Sequence, residues 1–157
     1  MNIKWAKYLQ ETPEYDAMTI DKNYIAAWKE FLEQNKDEFP TNELVIITGN
    51  LTINNENMVL EYALLNQTEK PVKEIEFGVT LSLFGKEYFS GALRTNKNCY
   101  EELPPNDVRL DLIDFGNDRY DNQKLTNDNY QLVIHYCNEI DYETDEVSEK
   151  ELQDSAK

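Results

Sequence analysis

The hydrophobic period of this chain changes at Pro40, and that change restricts the fold more than any other feature of the sequence. Before it, apolar residues recur at helical spacing. Tyr24, Ile25, Trp28, Phe31 and Leu32 form one stripe, while Lys29, Glu30, Glu33, Gln34, Lys36 and Asp37 fill the opposite side. The spacing predicts a helix over 22–39, with Asp21 as its N-cap and Pro40 just beyond its end. A shorter helix is expected over 3–9, where Trp5, Tyr8 and Leu9 share a face and Pro13 stops the run.

After Pro40 the period is two. Strands are predicted over 44–53, 58–65, 72–84, 87–93, 108–112 and 130–136, separated by Asn-, Gly- and Pro-containing turns. Thr48-Gly49-Asn50 reads as a bulge inside the first of them. In the last, Tyr130, Leu132, Ile134 and Tyr136 are expected on one face, with Gln131, Val133, His135 and Cys137 on the other. No helical pattern separates these strands, so the series reads as an antiparallel β-sandwich rather than βαβ units. The predicted class is α+β: a helical N-terminal extension (1–43), a sandwich body of six or seven strands (44–138) and an acidic tail (139–157).

Charge bears on function more than on fold. The chain holds 31 Asp+Glu against 15 Lys+Arg, a formal −16, and residues 99–157 carry 16 of the acids with 5 of the bases. Such a surface repels phosphate backbones and anionic lipid, which disfavours direct nucleic-acid or membrane binding. It attracts a basic protein and speeds the encounter. The longest aliphatic run is 44–47, far short of the ~20 residues that span a bilayer. The expectation is a cytoplasmic chain in which Cys99 and Cys137 are free thiols.

Material for catalysis is sparse. One histidine, His135, falls on the wetter side of its strand, and Cys99 has no local sign of activation. Glu101 with Glu102, and Asp111 with Asp114, are the carboxylate pairs that a hydrolase would use if a pocket enclosed them. Asp114, Asn117, Asp118, Asp121 and Asn122 offer oxygens in one loop, but not at EF-hand spacing. Neither metal nor cofactor is expected. Tyrosines among acids (Tyr15, Tyr100, Tyr120 and Tyr142) suit a protein interface, being rigid and apolar with a polar tip. The residues expected to meet a partner are Tyr100, Glu101, Glu102, Asp111, Asp114, Asp118, Tyr120 and Asp121.

Part of the chain also resembles a known family. Leu60-Glu61-Tyr62-Ala63-Leu64-Leu65-Asn66, the Gly85 hairpin between Val79 and Leu93, and Leu103-Pro104-Pro105 are similar to the SLAP-type domains of Firmicutes accessory Sec S-layer assembly proteins. The resemblance covers 44–115, lacks a Trp on the strand after the prolines, and implies an immunoglobulin-like sandwich and an S-layer or secretion accessory role. The composition itself points to a non-catalytic binding module: a small inhibitor, immunity-type or accessory protein that docks a basic surface. The alternative is a nucleic-acid mimic that blocks a DNA- or RNA-binding enzyme.

Overall fold

The computed structural model describes residues 1–54, 57–95, 99–117 and 128–140. Among the described residues, seven strands form two sheets, and three α-helices lie near the N-terminus. In chain order they are β1 (Ile3–Trp5), α1 (Lys7–Gln10), α2 (Asp16–Thr19), α3 (Lys22–Gln34), β2 (Leu44–Asn54), β3 (Asn57–Asn66), β4 (Ile75–Leu83), β5 (Lys86–Arg94), β6 (Val108–Asn117) and β7 (Tyr130–Glu139). The four-stranded sheet has the order β1-β6-β3-β2, and the three-stranded sheet β5-β4-β7. Every pairing is antiparallel except β1 with β6.

The four-stranded sheet is covered on both faces. On one side Tyr62 of β3 meets Phe77 of β4 with ring centroids 5.7 Å apart, and Phe89 of β5 meets Phe115 of β6 at the same distance. On the other side α3 lies across it: Tyr24 stacks on Trp5 at 5.2 Å and donates a hydrogen bond to Glu61, and Trp28 packs over Gly49. A Cβ at Gly49 would stand 3.0 Å from the Trp28 ring, so a side chain there would require the ring to give by a few tenths of an ångström. This double covering explains why Met58–Leu60 and Tyr62–Leu65 in β3 are buried without alternation.

The α3 helix starts where the sequence places it, with the Asp21 carboxylate accepting from the Asn23 N–H at 2.9 Å. It ends at Gln34, and residues 36–38 form a separate 3₁₀ turn. The bulge in β2 also falls at the anticipated place, between Thr48 and Leu51.

Two expectations fail. Residues 3–5 are a strand, not the start of a helix: Ile3 and Trp5 point inward, Lys4 points out, and the segment pairs in parallel with Val108, Arg109 and Leu110. Apolar residues two apart already fit a strand; the deciding partner lies a hundred residues away, beyond the reach of local periodicity. The first 43 residues therefore contribute a strand and a covering layer to the same core as the later strands. In β7 the register shifts opposite Gly78 and Val79, so Tyr136 turns to the outside and Cys137 becomes half-buried. Tyr136 lies flat over Gly78, filling the space a side chain would take.

If β1 belongs to the core, Trp5→Ala lowers unfolding free energy by about 3–5 kcal/mol, while Lys4→Ala stays within about 0.5 kcal/mol. Urea denaturation measures both; equal small effects would count against the strand.

Candidate functional site

Polar chemistry inside the molecule centres on Asp111, which is only 2% exposed. It lies on β6 directly opposite Tyr62 of β3, on the face turned to the three-stranded sheet. Tyr62 Oη donates to Asp111 Oδ2 at 2.7 Å. Tyr8 Oη, from α1, donates to Oδ1 at 2.5 Å, and Tyr100 Oη to Oδ2 at 3.1 Å. The Leu112 N–H completes the set at 2.7 Å from Oδ1. Tyr62 and Tyr100 hydroxyls also touch each other at 2.8 Å, and the Cys99 thiol stands 3.7 Å from Oδ2.

The local chain explains how Tyr100 arrives there. Its N–H donates to Lys73 O at 2.9 Å, and the backbone then reverses at Glu101, whose φ of 59° lies in the left-handed region. The side chain of Tyr100 is thereby turned inward while Glu101 and Glu102 face solvent. An antiparallel bridge between Val72 and Leu103 fixes the far end of this loop.

Burial raises the Asp111 carboxyl above its usual range, because desolvation outweighs the stabilising hydroxyl and N–H donors. Burial also raises the three phenols, and the neighbouring carboxylate adds to the effect. Cys99 is raised by burial and by Asp111, which makes it a poor nucleophile.

The network borders a cleft of about 360 Å³ lined by Tyr8, Cys99, Asp111, Asp114 and Arg94 among others. Asp111 and Asp114, paired in the sequence reading, thus both border this cleft. They differ in condition. Asp114 is exposed, accepting from Gly116 N–H at 2.8 Å and Asn57 Nδ2 at 3.2 Å, whereas Asp111 is enclosed by donors. The phenolic protons are directed at the carboxylate and at one another, an arrangement that ties α1, β3, β6 and the 99–103 loop together.

The residues expected to meet a partner therefore divide. Tyr100 and Asp111 are interior groups and cannot touch another macromolecule: the turn at Glu101 and the inward face of β6 bury them. Glu101 and Glu102 are exposed, each within 3.8 Å of a lysine, Lys7 and Lys73 respectively. Asp118, Tyr120 and Asp121 lie outside the described residues, as do Tyr142, Asn122 and the rest of the proposed oxygen-rich loop beyond Asn117. Tyr15 is half-buried. Cys99 and His135 do not meet; His135 Nε2 is 2.8 Å from Thr80 Oγ1 on the neighbouring strand β4 of the three-stranded sheet. Tyr8 and Tyr62 escaped the sequence reading, although an inward strand tyrosine facing an acid across a strand pair is the pattern that would have flagged Tyr62.

Among the described residues no group of three or more His, Cys, Asp and Glu is placed to hold a metal, and no helix is long and apolar enough to cross a membrane. No protein-family model, curated protein or solved structure matches the chain.

Asp111 makes stability depend on pH with a definite sign. Its folded pKa is raised, so its contribution is complete below the unfolded carboxylate value of about 4 and is lost as pH rises through the folded value. In urea titrations the stability of the native chain relative to Asp111→Asn increases from pH 7 to pH 4; a constant difference would refute the raised value. Tyr62→Phe removes a donor from the buried carboxyl and costs about 1–3 kcal/mol at neutral pH, again read by denaturation.

Proposed function

We propose that this protein is a non-catalytic acidic binding module that docks a basic surface of a partner protein, in the manner of a small inhibitor, immunity-type or accessory protein. The observation that carries the reading is where the carboxylates stand. Among the described residues, ion pairs join Lys7 to Glu11 and Glu101, Lys73 to Glu102, and Arg94 to Glu76. Exposed acids such as Asp37, Glu38, Glu43, Glu69 and Glu139 have no such ion pair and sit on or beside ordered elements. A surface of net negative charge gives steering and selectivity toward positive charge.

The interior supports the same conclusion from the other side. Asp111 and its tyrosines are engaged with each other and hold the fold, so recognition falls to the surface. An immunoglobulin-like arrangement of the two sheets, and an accessory role in S-layer assembly, belong with this reading as its narrower forms.

The test is affinity capture from the native lysate at two salt concentrations. A specific protein retained at about 50 mM salt and released at about 500 mM is expected, because screening shortens the Debye length to a few ångströms. Recovery of no specific protein at low salt would overturn the reading.

A further inference from the structure

The four sheet edges are unequally guarded. β1 is only three residues long, and β5 carries Lys86, Glu87 and Arg94; short or charged edges discourage a further strand. β2 and β7 have eleven and ten residues and contain no lysine, arginine or proline, and β2 has no charged residue at all. Among the described residues, each pairs with a neighbour on one side only.

These two open edges share a flank. Tyr130 at the start of β7 donates to Gly49 O in the β2 bulge at 2.6 Å, which fastens the edges at one end. Away from that point they enclose a groove of about 840 Å³, with Leu44, Val45 and Ile46 on one wall and Ile134 and Cys137 on the other. Leu44 and Ile46 stand opposite Asn66 and Leu64, on the face turned to the three-stranded sheet. Burial pushes the Cys137 thiol up to about 12, in keeping with an apolar wall. The rim carries Glu43, Glu69 and Glu139 against Lys70, and none of these four is ion-paired with a described residue.

Resting on the binding reading above, we propose that an extended, lysine- or arginine-bearing segment of the partner adds as a strand to the β2 edge, with apolar side chains in this groove and cations against Glu43, Glu69 and Glu139. An exposed edge offers a row of backbone donors and acceptors, and alternate side chains of an added strand point into the groove. Charge selects the occupant. A second copy brings another −16, and the segment that follows β7 is itself acid-rich, so both meet like charge at the rim.

The probe is a blocked heptapeptide of alternating lysine and valine, compared with glutamate-valine and centrally proline-substituted versions. Fluorescence anisotropy on the full chain is expected to show the lysine peptide binding at least about tenfold more tightly than either control. The triple substitution Glu43→Gln, Glu69→Gln and Glu139→Gln alters exposed side chains only and weakens binding by about tenfold. Ile46→Lys places a cation in the groove and weakens it as well. Amide exchange at residues 44–48 slows in the bound state. No binding, or binding without protection at 44–48, overturns strand addition, as does a concentration-dependent dimer that Ile46→Lys dissolves. If the triple-substituted chain still retains the protein captured from lysate, the binding reading survives and this inference alone falls.

Discussion

A carboxyl group between two sheets is costly unless its lone pairs are filled, and filling those of Asp111 ties α1, β3, β6 and the 99–103 loop together. The donors come from three separated parts of the chain: α1, β3 and the loop before β6. For Tyr8 to reach Oδ1, β1 must lie against β6, and Ala6 N–H donates to Leu110 O at 2.8 Å where the chain leaves that strand. For Tyr100 to reach Oδ2, the loop must reverse at a positive φ. The parallel strand and the positive-φ turn each bring a tyrosine hydroxyl to Asp111.

What could be read from the sequence follows from how local each signal is. The α3 stripe, its Asp21 cap, the β2 bulge and the β4 alternation from Ile75 to Leu83 are set by residues within one or two turns of each other. Each was legible. The β1–β6 pairing joins Ile3 to Val108, and nothing near Ile3 announces it. The β7 faces were misassigned past Ile134 because a bulge adds one residue to the period, and no glycine or asparagine marks it. Its sign is on the neighbouring strand, where Gly78 leaves room for the displaced Tyr136 ring.

The site was legible only in part, and for a different reason. Acids look alike in sequence, whereas Asp111 and Asp114 have opposite fates three residues apart. Alternation places Asp111 inward at the level of Tyr62; Asp114 falls outward and is capped locally by Gly116. Counting carboxylates therefore does not identify which of them stand on the surface. The tyrosines carried the missing information: an inward tyrosine needs a partner for its hydroxyl, and a buried acid needs donors, so each predicts the other.

The same logic separates the two ends of the molecule. Around Asp111 polar groups are saturated by one another, and the chain gains a unique arrangement of β1, α1 and the 99–103 loop in return for burying a titratable group. Along β2 and β7 the opposite holds: backbone groups face outward, the apolar wall is half-covered, and the rim acids have no ion-pair partners among described residues. Edge strands this long and this free of lysine invite pairing, and a protein that keeps one exposed must discourage pairing with itself. Net negative charge does that, since every copy repels every other, while a basic segment meets no such barrier. In the proposed binding mode acidity filters what the open edge can accept, and that proposal gives the charge and the unguarded strand a single explanation.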